Sequence, residues 1–345
     1  MKSAVLIPTL DPEDKLCKLI KEIQSFGVER ILIVDDGSAP DKYSIFEACE
    51  KMNCTVVHHD KNYGKGAAIR TGIHALRKRF DDLDGVVTAD GDGQHAPADI
   101  YRILCEVDKR QDEIILGIRD FSSKEVPFKS KIGNQFSSCF FRIANGISCP
   151  DTQTGLRGIP KKYFDFALST EGDRYEYEMN FLCTAARNKY PLKYITIQTI
   201  YEDNNKGSHF DPIKDSLRIY AQPLRYMMAS LSSFGIDILA FTVLAYFMKS
   251  RAVDAIFIAT ICARIISGIY NFWINRNWSF SRKDRNWTGQ AIRYVALFLS
   301  QMLLSAGVVT AFSGLTVPLT VIKIIVDTCL FFVSYIIQRD WVFRK

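Results

Sequence analysis

The sequence predicts an α/β fold with a mainly parallel sheet over its first two thirds. An all-α region of four membrane-spanning helices follows. Three observations carry this reading. Short β-branched runs alternate with amphipathic helical stripes, the pattern of βαβ units. Acidic residues stand directly after two of those runs, where a parallel strand hands over to a loop. From Leu231 onward the chain turns mostly apolar.

The strand runs are 4–7, 31–34, 55–57, 86–88 and 114–116, each bounded by turn residues. Between them lie helical stripes. Leu16, Leu19, Ile20 and Ile23 recur at i, i+3, i+4 and i+7, as do Ile100, Ile103, Leu104 and Val107. Ile69, Ile73, Leu76 and Phe80 make a third stripe. Such faces pack against a core. No internal repeat or low-complexity tract is expected.

Four apolar segments, at about 231–248, 253–272, 292–312 and 316–337, are each near the ~20 residues a bilayer requires. Residues 213–230 mix Ile213, Leu217, Leu224 and Met227 with Lys214, Arg218 and Arg225, which suits an interfacial segment. The expected boundaries are therefore 1–212, 213–230 and 231–345. Arg276, Arg282, Lys283 and Arg285 flank the second and third spans, and Arg339, Arg344 and Lys345 follow the fourth. The positive-inside rule then places the first domain and both termini in the cytosol. Asp237, Arg264, Lys323 and Asp327 interrupt the spans and are expected to pair locally or to line a polar path.

Bulk properties narrow the function. A length of 345 residues suits two or three domains, and the net charge is +6. Much of that excess lies between and after apolar segments, which favours a membrane surface over nucleic acid. Nine cysteines without a C-x-x-C pair argue against a disulfide framework or a zinc site. The opening M-K-S-A-V-L-I-P is too short an apolar run for a signal peptide.

The chemistry lies in the loops after the strands, where open α/β sheets bind ligands. In D-G-D-G-Q at 90–94, Asp90, Asp92 and Gln94 alternate, so three oxygens can converge on a hard cation such as Mg²⁺ or Mn²⁺. Asp35 and Asp36 end the second run and could accept hydrogen bonds from a base or ribose. Gly64-Lys65-Gly66 opens a helix, where backbone N–H groups and Lys65 could meet phosphate. It is not the P-loop pattern.

Taken together, P-T-L-D at 8–11, V-D-D-G-S at 34–38, N-Y-G-K-G-A-A at 62–68, D-G-D-G-Q-H at 90–95, D-T-Q-T-G-L-R at 151–157 and Y-E-Y-E at 175–178 resemble the family 2 glycosyltransferases. The group they most resemble is the dolichol- and polyprenyl-phosphate sugar synthases, which implies a GT-A fold. The stretch A-R-I-I-S-G-I-Y-N-F-W-I-N-R-N-W-S-F at 263–280, with Q-R-D-W-V-F at 338–343, resembles the GtrA-like four-span membrane family. The resemblance implies site roles. Asp90, Asp92 and Gln94 hold the metal on the donor pyrophosphate. Pro8, Thr9 and Asp36 border the nucleoside, and Asp11 stands where the family has Tyr-Asn-Glu, on the donor side. Arg119 and Lys131 meet the acceptor phosphate. Asp151, Gln153 and Arg157 line the sugar and acceptor side. Lys65, Lys206 and Ser208, with neighbouring His209, lie near the pyrophosphate.

The resemblance implies an inverting, metal-dependent transferase that moves a hexose from a nucleotide-sugar to polyprenyl phosphate for cell-envelope glycosylation. It would sit in the cytoplasmic membrane and could form homo-oligomers. UDP-glucose or UDP-N-acetylglucosamine is the favoured donor, and GDP-mannose is the alternative. Translocation of the product by the membrane domain stays open. A further alternative is a lipid-linked sugar flippase whose first domain binds nucleotide-sugar without catalysis. A processive polysaccharide synthase fits poorly, because Q-R-D-W at 338–341 has the wrong spacing for Q-x-x-R-W.

Overall fold

The computed structural model describes residues 1–121, 147–198, 221–248, 253–281, 287–312 and 319–344, with Lys131, 133–135, 137–138 and 141–142 between the first two. The chain divides into two compact units, Met1–Ile219 and Tyr220–Lys345.

In the first unit, seven described strands form one sheet. They are β1 (Ala4–Thr9), β2 (Ile31–Asp35), β3 (Thr55–His58), β4 (Gly85–Thr88), β5 (Ile114–Arg119), β6 (Arg157–Pro160) and β7 (Leu192–Ile197). Their order is β3-β2-β1-β4-β6-β5-β7. Only β6 runs antiparallel, against both β4 and β5. The carboxyl ends of β1, β2, β4 and β5 therefore share one edge of the sheet, and Arg157 at the start of β6 joins them.

Helices cover both faces: α1 (Lys15–Ser25), α2 (Tyr43–Lys51), α3 (Lys65–Arg79), α4 (Pro97–Lys109), α5 (Phe164–Ser169) and α6 (Glu176–Arg187). One face buries Leu6, Leu32 and Val34 against Ile69, Ile73, Leu76 and Phe181. The other buries Val5, Ile7, Ile31 and Ile33 against Leu16, Ile20, Ile100 and Leu104. A strand buried on both faces has no polar side, which is why these runs are continuously apolar. The strands and helix stripes read from the sequence fall on β1–β5, α1, α3 and α4. Sequence reading missed β6, whose R-G-I-P is short and starts with a charge, and β7, a half-buried edge strand.

Among the described residues, the second unit holds four long helices: α7 (Ala221–Met248), α8 (Val253–Ile274), α9 (Trp287–Ala311) and α10 (Leu319–Ile337). At ~1.5 Å per residue these are roughly 28–42 Å long. Among the described residues, Pro223–Leu244 is long and apolar enough by composition to cross a membrane. Residues 221–230, expected in a separate interfacial segment, continue directly into α7. Asp237 lies 3.7 Å from Arg264 and accepts from Ser267, a pairing between α7 and α8. Asp327 accepts from Ser305 at 2.6 Å, and the Lys323 side chain lies outside the described residues.

The expectation of no internal repeat does not hold for this unit. The α7–α8 and α9–α10 hairpins are two versions of one motif. Each second helix ends in a five-residue π turn, Asn275–Ser279 and Gln338–Val342. The turns read N-R-N-W-S and Q-R-D-W-V, each followed by Phe. Corresponding residues make corresponding contacts. Ser233 Oγ donates to the Ser267 carbonyl, and Gln301 Nε2 donates to the Leu330 carbonyl. Tyr226 packs on Tyr335 as Tyr294 packs on Phe272. Across the seam, Asn275 Nδ2 donates to its counterpart Gln338 Oε1 at 3.3 Å, and Phe280 stacks on its counterpart Phe343 at 5.0 Å. Like meeting like is the signature of a two-fold axis. The repeat escapes a sequence scan because only the turn residues are similar.

Candidate active site

The sheet delivers its polar residues at the shared carboxyl edge. Pro8 is buried in β1 opposite Val34, and Thr9 ends the strand opposite Asp35. The Asp36 N–H donates to the Thr9 carbonyl at 2.9 Å. Asp11, at φ 47°, accepts from the Ala39 N–H at 2.8 Å, and its own N–H donates to Ser38 Oγ. Asp35 is fully buried, accepting from the Ser38 N–H and lying 2.7 Å from His58 Nδ1.

Asp36 is only 4% exposed, and both its oxygens are engaged. It accepts from the Tyr63 and Gly64 N–H groups at 2.9 and 2.7 Å and lies 2.8 Å from His59 Nδ1. The two carboxylates expected to face a nucleoside are instead engaged in bracing the neighbouring loops. Asp36 in particular holds the chain that leads into α3. Gly64 there has φ +105°, and an added Cβ would stand 2.4 Å from the Asp173 carbonyl. Only glycine permits that approach.

Lys65 opens α3 and points to the acidic loop. Its Nζ lies 2.6 Å from Asp90 Oδ1 and 2.8 Å from Glu178 Oε1 on α6. The other Asp90 oxygen lies 3.2 Å from the buried His95 Nε2. Burial works against the Lys65 ammonium, but Asp90 and Glu178 outweigh it and raise its pKa. Burial likewise works against the Asp90 carboxylate, but Lys65 and then His95 hold it below the usual range. Asp92 moves the other way, pushed up by burial first and by the Asp90 charge second. Its Oδ1 accepts from the Gln94 N–H at 3.0 Å.

The 151–157 loop borders this cluster. A Cβ on Gly155 would lie 2.4 Å from Asp90 Oδ2, so the loop rests against the carboxylate itself. The same loop holds Arg119. Asp151 is fully buried and receives Arg119 Nε at 2.7 Å and Nη2 at 2.9 Å, a bidentate pair. It also accepts from the Gln153 N–H at 3.2 Å. Arg157, read as an acceptor contact, is 3% exposed and turned inward. Its Nε donates to the Thr154 carbonyl and its Nη1 to the Glu178 carbonyl. Lys131 is half-buried in a helical stretch. Lys206, Ser208 and His209 lie outside the described residues.

Sequence reading assigned no part to Glu178, His95 or His59. The signal for the first two was present, since Y-E-Y-E and D-G-D-G-Q-H end in them, but only the fold brings Glu178 to Lys65.

The donor set suits a hard divalent cation. Asp92 carries a carboxylate whose charge burial and Asp90 both disfavour, and a cation would relieve that. Among the described residues, no three His, Cys, Asp or Glu side chains gather into a full cage. Mg²⁺ is ordinarily held by one or two carboxylates with substrate phosphates and water completing its shell, which this loop can provide.

Comparison with known proteins gives the same picture. Residues 4–164 match the family described as Glycosyl transferase family 2. Residues 225–343 match the domain described as GtrA/DPMS, transmembrane domain. The UDP-N-acetylglucosamine–dolichyl-phosphate N-acetylglucosaminyltransferase of Methanococcus voltae is 30% identical over 218 residues, covering 58% of this chain and 86% of that protein. The polyprenol monophosphomannose synthase of Mycolicibacterium smegmatis is 24% identical over 208 residues, covering 57% and 76%. The undecaprenyl-phosphate 4-deoxy-4-formamido-L-arabinose transferase of Proteus mirabilis is 24% identical over 214 residues, covering 60% and 61%. With a mainly parallel GT-A-type sheet, acidic loops at its carboxyl edge and these matches, the chain belongs to the family 2 glycosyltransferases and carries a GtrA/DPMS transmembrane domain.

Proposed function

We propose that this protein transfers a hexose from a nucleotide-sugar to the phosphate of a polyprenyl phosphate at the cytosolic face of the membrane. One observation carries the reading. The loop that grips Arg119 through Asp151 is the loop that rests Gly155 on Asp90. A basic group for a phosphate acceptor and an acidic loop for a metal-bound diphosphate, on two different strands, are thereby braced by one short segment.

The acceptor phosphate is already ionised at neutral pH, so it requires positioning rather than a strong base. Arg119, oriented by its bidentate pair with Asp151, supplies that position, with Lys131 as a second cation. Asp36 acts on the donor through the 62–64 loop it braces. Arg157 sets the 151–157 loop from behind. Asp92 and Gln94, beside Asp90, would hold Mg²⁺ or Mn²⁺, which supplies Lewis-acid stabilisation of the departing diphosphate. In-line attack by the acceptor inverts the anomeric centre. UDP-N-acetylglucosamine is the favoured donor, because the Methanococcus voltae relative is named for it. GDP-mannose is the second reading, favoured by the Mycolicibacterium smegmatis relative.

A donor screen tests this. Purified full-length protein would be incubated with Mn²⁺, undecaprenyl or dolichyl phosphate, and in turn UDP-N-acetylglucosamine, UDP-glucose, UDP-galactose and GDP-mannose. Mass spectrometry would read the lipid product. We expect one donor to give a chelator-sensitive glycolipid, and Asp92→Ala to reduce it by ~10²-fold or more. If no donor gave product while nucleotide still bound, the transferase reading would yield to a binding-and-transport role. Full activity in Asp92→Ala would remove the metal role.

A further inference from the structure

Asp90 is shared between Lys65 and His95, and Lys65 in turn is shared with Glu178. Lys65 Nζ lies between Asp90 Oδ1 at 2.6 Å and Glu178 Oε1 at 2.8 Å. Glu178 is buried, and Lys65 is only 15% exposed at its side chain. The arrangement is anchored on every side. The Ala67 N–H on α3 donates to the Asp173 carbonyl, Arg70 Nη1 donates to the Gly172 carbonyl, and Arg157 Nη1 donates to the Glu178 carbonyl. Both helices are thus held where their first turns face the acidic loop. An ammonium fixed this way is a permanent cation beside the proposed metal ligands.

The charge count follows. Asp90, Glu178 and Lys65 leave one negative charge, and Asp92 adds a second. A divalent cation neutralises that pair. Without Glu178, Lys65 would cancel Asp90 completely and leave a single charge for the metal. Without Lys65, the loop would carry three.

We propose that Lys65 is a resident cation on the inner side of Asp90 and that Glu178 is the carboxylate that keeps the loop acidic enough to take a divalent metal despite it. Glu178 is then a positioning residue for the reaction. It acts through Lys65 and sets metal affinity. This rests on the metal-dependent reading above, and it makes a demand that a merely structural salt bridge does not. The two partners must shift metal affinity in opposite directions.

The experiment is a Mn²⁺ titration of the full-length protein, read by the electron paramagnetic resonance signal of the free ion, first with Mn²⁺ alone and then with UDP. Wild type, Lys65→Met, Glu178→Gln and the double variant would be compared, each checked by its melting temperature. The expected result is about tenfold tighter Mn²⁺ binding in Lys65→Met, about tenfold weaker in Glu178→Gln, and a double variant near wild type. If both single variants weaken binding, or neither changes it while wild type binds, the proposal is overturned and the pair is structural. If Lys65→Met does not fold, Glu178→Gln decides alone, and affinity equal to wild type overturns the proposal. Wild type that binds no Mn²⁺ in either condition overturns the metal reading itself, a failure visible before any variant is made.

Discussion

At Gly155 a single added carbon would sit 2.4 Å from Asp90 Oδ2, between the 151–157 loop and the acidic loop. We expect Gly155→Ala to destabilise the first unit by about 1–3 kcal/mol, the usual range for overpacking, seen as a lower melting temperature together with weaker Mn²⁺ binding. Unchanged values for both would mean that the loop relaxes freely. Asp151 offers a sharper test. It is fully buried and orients Arg119 through two hydrogen bonds. Asp151→Asn keeps the shape but replaces one acceptor oxygen with a donor. A misplacement of ~1 Å can cost ~10²-fold in rate, so a loss of that order is expected, read as glycolipid formed per minute. The acidic and basic residues of this site were legible in the sequence because short motifs carry them. The inward turn of Arg157 and the bracing role of Asp36 were not. Both depend on backbone groups, at Glu178 and at Tyr63 and Gly64, that no side-chain pattern announces.

Among elements, β1, β2 and β4 were readable because nearly every residue in them is buried, and β3, a half-buried edge strand, because its Thr-Val-Val is β-branched; β5 is apolar up to its last residue. The R-G-I-P of β6 is held by its neighbours Thr88 and Leu116 rather than by its own composition. In the membrane unit the two π turns are the informative elements. Asn275 and Gln338 are buried and donate and accept across the seam between hairpins. Side-chain hydrogen bonds between membrane helices average about 0.6 kcal/mol and reach about 1.7. Asn275→Ala and Gln338→Ala are therefore expected to destabilise the unit by similar amounts in that range, measured by thermal unfolding in detergent. Strongly unequal losses would argue that the two hairpins are not equivalent.

For the molecule as a whole, the charge distribution around the apolar segments predicts that both termini lie on the cytosolic side. Reporter fusions at each end should both report the cytosolic side, and a split result would overturn that orientation. The sequence by itself determined the two-part architecture, the identity of the acidic loops and the family, because buried strands, long apolar helices and acidic turns each impose a local composition. Tertiary structure alone decided how those parts are wired. Lys65 meets Asp90 and Glu178 only because α3 and α6 pack on the same face of the sheet. The hairpin repeat shows itself only where Asn275 meets Gln338 and Phe280 meets Phe343. Contacts between residues far apart in the chain depend on packing geometry, and a one-dimensional pattern records composition but not which side chains will face each other.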